Sequence, residues 1–307
     1  MEPGVTNFNI VQANQFVGGG IGGTSPFAKI WYVDTTNGSN GNTGKSPGKA
    51  FATIEKAIAA SVASRGDEIV IAPGSYTEAV LIPKAHTIFR AAVYNPRRPS
   101  VIITSNIADM VQVDVDGVQF HGIEFKAAGN TTDNLIDVAD TANVDGLIFN
   151  GCVFHGDDKT SVRGIRAVDG TFILTRLTVV NCLFRDLTGT MIDIGVLGFA
   201  YSYIGYNQFA IDINSGVGIA LADTGAFATG KGYVIEENVV TGFDATADEV
   251  FITIAGTENT TGAGIIRNNY GAYVAAAMIT VDKLSLSEVN NYVGDAATGG
   301  TLVDPGT

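Results

Sequence analysis

The sequence repeats a two-strand pattern seven times between Phe125 and Tyr292, at intervals of 22 to 31 residues. Units this short have no room for a crossover helix and cannot bury an apolar face alone, so successive units must stack on one another. The repeat therefore predicts a single-stranded parallel β-helix of roughly eight to ten coils. Leucine-rich, propeller and helical repeats fit less well, since their consensus residues or periods are not visible.

Four columns of residues define the repeat. The second strand of each unit ends on Phe125, Phe154, Phe184, Phe209, Val240, Tyr270 or Tyr292. Two positions earlier stand Ile123, Cys152, Cys182, Asn207, Asn238, Asn268 and Asn290. Five positions earlier stand Phe120, Phe149, Val179, Ile204, Ile235 and Ile265, and Ser287 breaks this series. A separate, earlier strand carries apolar pairs from Val111/Val113 to Ile279/Val281. Stacked about 4.8 Å apart, these columns become rows of like residues inside the coil.

The rest of the chain is interpreted as an arm, a cap and a tail around one elongated domain. Residues 1–30 are Gly-rich and aperiodic, which predicts an extended arm; their formal match to GxGxxG has no strand before it and no helix after it. The β-helix spans 31–300, with a capping helix at about 53–64 that Thr53 begins and Val62 helps to bury. Residues 301–307 form a C-terminal tail.

Composition points to protein partners. A mean hydropathy of +0.22 with only 16% charged residues is apolar for a soluble monomer, so we expect a homo-oligomer, most plausibly a trimer. Its predicted subunit contact lies on outward positions Ile148, Val153, Val180 and Leu183. The arm is expected to dock on a neighbouring protein through Phe8, Ile10, Phe16 and Val17.

Charge and hydropathy narrow the partners further. A net charge of −13 disfavours nucleic acid, because binding the phosphate backbone depends on clustered Lys and Arg. No apolar run reaches the roughly 18 residues of a membrane helix, so no membrane partner is expected. The N-terminus lacks the pattern of a secretory signal.

The segment after residue 30 resembles a known fold family. The run from Trp31 to Ala60 (WYVDTTNGSNGNTGKSPGKAFATIEKAIAA), the strand GDEIVIAPGSYTE and later phrases such as VNCLF resemble pectin-lyase-like right-handed parallel β-helix proteins. The resemblance implies an all-β, right-handed parallel β-helix for nearly everything after residue 30. It implies little about function, because such proteins include polysaccharide lyases, glycoside hydrolases, epimerases and phage tailspikes.

One set of residues is a candidate catalytic site. Asp137, Arg166 and Asp193 occupy the outward position between the apolar pairs of three successive units. The two carboxylates would stand near 9.6 Å apart, at the upper edge of the range for inverting glycosidases. A charge ladder on adjacent strands is the favoured interpretation, because an Arg between two carboxylates lowers both pKa values, whereas a general acid needs one raised.

Other polar groups carry weaker signals. Asp114–Gly117 and Asp157–Lys159 are interpreted as turns, and His86, His121 and His155 fall in different columns. No cofactor or metal is expected. Cys152 and Cys182 are adjacent in one column, and two buried thiols are favoured over a disulfide, which the spacing would also permit.

The chain is predicted to be a non-enzymatic bacteriophage virion protein, made in the host cytoplasm. This prediction rests on the docking arm, the apolar outward positions, the N-terminus without a secretory signal pattern and the weak catalytic signal. The favoured role is a capsid decoration or head-associated protein, whose arm would dock on a capsid or other virion protein. The alternative is a tailspike-type receptor-binding protein or a polysaccharide-degrading enzyme, with carbohydrate as ligand and Asp137, Arg166 and Asp193 as its site.

Overall fold

The chain winds through three long faces in a repeating order. We analysed a computed structural model of the chain. It describes residues 25–95, 98–129, 133–156, 162–168, 170–196, 198–211, 217–222, 232–242, 250–255, 264–272, 279–281, 286–289, 291–294 and 301–303. Each coil visits sheet A, then sheet B, then sheet C, and strands of successive coils pair in parallel. This is the parallel β-helix that the repeat predicts.

The strands form four sheets. Sheet A consists of Ile30–Val33, Glu68–Ile71, Ile88–Ala91, Gln119–His121, Ile148–Asn150, Thr178–Val180, Tyr203–Gly205, Val234–Glu236, Gly264–Arg267 and Leu286–Val289. Sheet B consists of Gly74–Thr77, Val101–Ser105, Ile123–Ala127, Val153–His155, Leu183–Arg185, Gln208–Ile211, Val239–Gly242, Tyr270–Ala272, Asn291–Gly294 and Thr301–Val303. Sheet C consists of Val80–Ile82, Asp109–Val113, Asn134–Val138, Arg163–Ala167, Ile192–Ile194, Val217–Ala222, Val250–Ala255 and Ile279–Val281. The small sheet D consists of Val144–Asp145, Ile173–Thr175 and Gly198–Ala200.

Phenylalanine rows fill the interior behind sheets A and B. The rings of Phe154 and Phe184 stack with centroids 4.5 Å apart, and those of Phe184 and Phe209 stack at 4.8 Å. Phe125 continues the row from Phe154 at 5.5 Å, and all four side chains are fully buried. Because equivalent residues stand one strand spacing apart, identical rings stack without any rearrangement of the backbone.

A second row, at the turn from sheet A to sheet B, is polar. The amide of Asn238 donates to Asn269 Oδ1 at 2.9 Å, and that of Asn207 donates to Asn238 Oδ1 at 3.0 Å. Cys152 and Cys182 precede these asparagines in the same row as free, buried thiols, and burial raises the pKa of the Cys182 thiol. The preference for two thiols is therefore confirmed.

A short helix, α1 (Ile54–Ala60), packs on the first strands of the coil. Thr53 caps its N-terminus as predicted, accepting a hydrogen bond from the backbone N–H of Lys56. The carboxylate of Glu78 accepts from the N–H groups of Ile54 and Glu55, so the β-helix itself supplies a second cap. The predicted bounds were too long, because Val62 lies after the helix and is exposed rather than buried.

The register predicted for the last units is wrong by one residue. Val240 pairs with Gly271 rather than Tyr270, and Ile235 pairs with Ile266 rather than Ile265. Tyr270 consequently points outward and is 44% exposed. The asparagine row sets this register, since Asn269, and not Asn268, binds Asn238.

The first and last described strands can be compared with the predicted limits of the β-helix at residues 31 and 300. The first strand of the coil begins at Ile30, and Thr301–Val303, placed in the tail by the sequence, pairs antiparallel with Asn291–Gly294. The arm residues Phe8, Ile10, Phe16 and Val17 lie outside the described residues. Within the described part of the chain, no helix combines the length and the apolar character needed to cross a membrane.

Candidate functional site

The outer face of sheet C carries a polar strip along the axis of the coil. Asp137 pairs with Gln112 on one side and with Arg166 on the other, and Arg166 pairs in turn with Asp193. Gln112, Asp137, Arg166 and Asp193 are called the acidic strip below. The flanking apolar residues of each strand point into the core, which directs these four side chains outward. The predicted juxtaposition of Asp137, Arg166 and Asp193 is thus present.

Asp137 lies at the buried centre of the acidic strip. Arg166 Nη1 donates to its Oδ1 at 2.8 Å, and the residue is only 2% exposed. Burial raises the pKa of Asp137 to about 6, and this outweighs the lowering by the hydrogen bond and charge of Arg166. The nearby carboxylates of Asp109 and Asp140 raise it further.

Asp193 lies at the accessible end of the acidic strip, with its side chain partly exposed. Burial raises its pKa as well, against the lowering influence of the Arg163 and Arg166 charges. Arg163 Nε stands 3.3 Å from Asp193 Oδ2. The next outward positions on sheet C, Ala220 and Thr253, carry small side chains and leave a low surface beside Asp193.

The surroundings of Asp137 and Asp193 correct the expectation that an arginine between them lowers both pKa values. Arg166 bonds Asp137, whereas the closest cation to Asp193 in the described residues is Arg163. For each carboxylate, burial raises the pKa more than the nearby positive charge lowers it. A carboxyl with a pKa near 6 is suited to proton transfer at neutral pH.

Two neighbours of the site were missed by sequence reasoning. Gln112 presents a carboxamide beside Asp137, and its Nε2 donates to Asp114 Oδ2 at 2.8 Å. Arg163 stands two positions before the apolar residue of its strand and reaches across to the next coil. A search of outward positions on the same strand, rather than of one column, could have found both.

Asp114 and Asp116 bind backbone groups of the next coil rather than only those of their own turn. Asp114 Oδ1 accepts from the backbone N–H groups of Asp140 and Thr141, and Asp116 Oδ1 accepts from that of Asp145. These carboxylates therefore tie turns of successive coils together. The other acidic spot, Asp157–Lys159, lies outside the described residues.

A separate ion-pair cluster lies on the outer face of sheet B. His155 Nδ1 is 2.9 Å from Glu124 Oε1, and its Nε2 is 3.0 Å from Asp186 Oδ2. Arg185 Nη2 also reaches Glu124 Oε1, at 3.3 Å. Burial of Glu124 is outweighed by these bonds from His155 and Arg185, so its pKa is lowered. Among the described residues, no group of three or more His, Cys, Asp or Glu side chains is placed to hold a metal ion.

Not all four residues of the predicted subunit contact are accessible at the surface of the single chain. Ile148, Val180 and Leu183 are half-buried, whereas Val153 is 1% exposed within the single chain. Val153 therefore has little area left to bury against a second copy.

The fold is shared with solved structures of pectin methylesterases. Pectin methylesterase from Aspergillus niger is 16% identical, with a TM-score of 0.58 over 90% of this chain and 89% of that chain. The carrot enzyme is 14% identical, with a TM-score of 0.55 over 91% and 87%. Pectin methylesterase PemA from Erwinia chrysanthemi is 13% identical, with a TM-score of 0.55 over 90% and 92%. No protein-family model matches the chain, and no curated protein sequence does.

These similarities define the class of fold. The protein has the right-handed parallel β-helix fold of these solved structures, which is the fold that its sequence resemblance implies. The expectation of a non-enzymatic virion protein is corrected, since the similar solved structures are pectin methylesterases. The raised pKa values of Asp137 and Asp193 also remove one of its supports, the argument that the arginine between them lowers both pKa values.

Proposed function

We propose that the protein is an enzyme that acts on a polysaccharide and hydrolyses an ester of it at the acidic strip. The observation that carries the proposal is the in-register arrangement of Asp137, Arg166 and Asp193 on one outer face, with both carboxyl pKa values raised. The names of the similar solved structures favour an ester as the bond, since they are pectin methylesterases.

Asp193 is the residue assigned to bond chemistry, because it is the more accessible of the two carboxylates. Its raised pKa makes the ionised form a stronger base than an ordinary aspartate. In the proposed step, Asp193 takes a proton from a water molecule as the water oxygen bonds to the ester carbonyl carbon. The same proton then passes to the leaving alkoxide as the ester bond breaks, so the products are an acid and an alcohol.

Arg166 is assigned to the charge that develops on the carbonyl oxygen. Its side chain is partly exposed, and its Nη1 is bonded to Asp137 Oδ1 at 2.8 Å. A cation held in place before the reaction stabilises an oxyanion without reorganisation of its surroundings. Asp137 is buried behind it and acts as a positioning residue.

The small outward residues beyond Asp193 suit a polymeric substrate. Ala220 and Thr253 continue the row on the next coils, so a sugar chain that runs along the axis of the β-helix meets small side chains at these two described positions. One solved pectin methylesterase of this fold was determined with a hexasaccharide. A polysaccharide is therefore the substrate class to test first.

Glycoside hydrolysis is the second candidate. The carboxylates of Asp137 and Asp193 lie two strand spacings apart, roughly 9.6 Å, at the upper edge of the separation in inverting glycosidases. The burial of Asp137 argues against it, because a general acid must reach the glycosidic oxygen.

The test separates the two reactions by their products. Wild-type protein is incubated with methyl-esterified pectin, an acetylated xylan and a panel of unesterified polysaccharides, and released alcohol, acetate and reducing ends are measured. Ester hydrolysis predicts alcohol or acetate without new reducing ends, whereas glycoside hydrolysis predicts the reverse. Asp145→Asn is the matched control, since Asp145 also pairs with an arginine of the next coil, Arg176, but lies on sheet D.

A further inference from the structure

A shallow pocket lies at the corner where the chain turns from sheet A into sheet B. Its volume is about 570 Å³, and Asn181, Leu183, Tyr206, Gln208, Glu237 and Val239 are among its lining residues. It contains no residue of the acidic strip. We call it the corner pocket.

Tyr206 forms an exposed aromatic wall of the corner pocket. The residue is 58% exposed. On the same coil, Tyr203 Oη donates to Glu236 Oε1 at 2.9 Å, and Arg267 pairs with the other oxygen of Glu236. The ring of Tyr206 stays open to solvent beside this network.

Neutral amides border the ring. Gln208 and Asn181 are exposed, and Asn181 Nδ2 donates to Asn150 Oδ1 at 3.2 Å. Glu236 is paired with Arg267. Glu237 lines the pocket and accepts from the neutral amide of Asn268 at 2.9 Å, which does not cancel its charge. The pocket therefore offers amide groups and a carboxylate acceptor, which fit a ligand rich in hydroxyl groups.

A second exposed tyrosine extends this surface along the same corner. Tyr94 lies over Gly151, where an added Cβ would stand 2.3 Å from the tyrosine hydroxyl. Gly151, Asn181 and Tyr206 hold the same left-handed turn position on successive coils, with φ of +63°, +55° and +58°. The two rings are thus about two strand spacings apart, roughly 9.6 Å, along the axis of the coil.

We propose that the corner pocket is a second saccharide-binding site, which holds the polymer away from the acidic strip. The face of Tyr206 packs on the C–H groups of a sugar ring, whose partial positive charge complements the negative face of the aromatic ring. Gln208 and Asn181 bind its hydroxyl groups. The ligand class rests on the proposed function, whereas the location of the site does not.

The test measures binding in the Asp193→Asn background, so that no substrate is consumed. Calorimetric titration uses pectin-derived hexasaccharides and, separately, neutral cello- and mannohexaose as probes. Two classes of site are expected for the probe that binds, and Tyr206→Ala is expected to weaken one class by roughly fivefold to tenfold. Gln208→Ala should weaken the same class.

Tyr201→Ala is the matched control. Tyr201 is 55% exposed and also has a positive φ, but it lies at the other end of the strand Tyr203–Gly205. The proposal is overturned if none of the probes binds, if only one class of site is seen and Tyr206→Ala leaves it unchanged, or if Tyr201→Ala weakens binding equally. Binding that depends on Tyr206 in a protein whose wild type hydrolyses no ester would contradict the proposed function alone.

Discussion

Arg166 donates a 2.8 Å hydrogen bond to Asp137, yet the pKa of Asp137 is raised to about 6. Burial removes water that would otherwise solvate the carboxylate, and the partly exposed side chain of Arg166 does not restore all of the lost solvation. A hydrogen-bonded carboxylate whose pKa is raised stabilises the fold less at neutral pH than one whose pKa is lowered. Carboxyl groups with pKa values shifted toward neutral pH are common at functional sites.

The first prediction concerns stability against pH. The pKa of Asp137 is about 6 in the folded chain and 3.8 as its ordinary value, so between these values the unfolded state releases its proton first. The free energy of unfolding therefore falls as the pH rises from about 4 to 6, by roughly 3 kcal/mol. Asp137→Asn should flatten this slope in chemical denaturation at pH 4 and pH 6.5. An unchanged slope, or a slope that Asp145→Asn flattens equally, would contradict the assignment.

A second prediction concerns the asparagine row. Asn238 is fully buried, accepts from Asn207 and donates to the carbonyl of Ile204 at 3.1 Å. Asn238→Ala leaves these buried groups unpaired and should lower the free energy of unfolding by roughly 3 kcal/mol. Urea denaturation measures it.

The control for the asparagine row is the exposed amide of Gln208. Gln208→Ala should change the free energy of unfolding by less than about 0.5 kcal/mol. Equal effects of the two substitutions would show that the row contributes no special stability.

The third prediction uses Trp31, the single tryptophan, as a reporter. Burial of Asp67 would raise its pKa, but bonds from Arg65, Trp31 Nε1 and two backbone N–H groups hold the pKa at about 2. Because this pKa lies below the ordinary value, its stabilising contribution is present above about pH 4 and is lost as the pH falls toward 2. Asp67→Asn should cost roughly 2 kcal/mol and alter the fluorescence of Trp31 at neutral pH. Identical spectra and acid-unfolding midpoints would rule this role out.

A fourth prediction concerns the geometry of Arg166. Arg166→Lys keeps the charge but loses the planar fork that can hold Asp137 and an oxyanion together. We expect kcat for ester hydrolysis to fall by roughly tenfold to a hundredfold with little change in KM. A rise in KM alone would mean that Arg166 binds the substrate without acting in the reaction.

Most of the fold was predictable from the sequence because the repeat exposes its own register. The apolar pairs of sheet C, from Val111/Val113 to Ile252/Ile254, pair as the columns predict. The prediction failed at Tyr270, where an aromatic residue was taken as the end of the strand. A hydrogen bond from Asn238 to Asn269 sets that register. Because Asn268 and Asn269 are the same residue type, the sequence does not show which of them pairs with Asn238.

The candidate site was predictable in position but not in chemistry. The column placed Asp137, Arg166 and Asp193 on one face, which the pairing confirms. Their pKa values depend on how deeply each side chain is buried, and a one-dimensional pattern does not contain that depth. The corner pocket was missed because Tyr206 and Gln208 are turn and strand positions that the repeat treats as variable.

Ester hydrolysis by Asp193 is tested by the rate of alcohol release from methyl-esterified pectin, compared among wild type, Asp193→Asn and the control Asp145→Asn. We expect measurable release by wild type and Asp145→Asn, and a rate lower by about a hundredfold or more for Asp193→Asn. Release should also decline as the pH falls, because protonation removes the Asp193 base whose pKa is raised. Release that Asp193→Asn leaves intact, or its absence in wild type from pH 5 to pH 8, would contradict ester hydrolysis at the acidic strip.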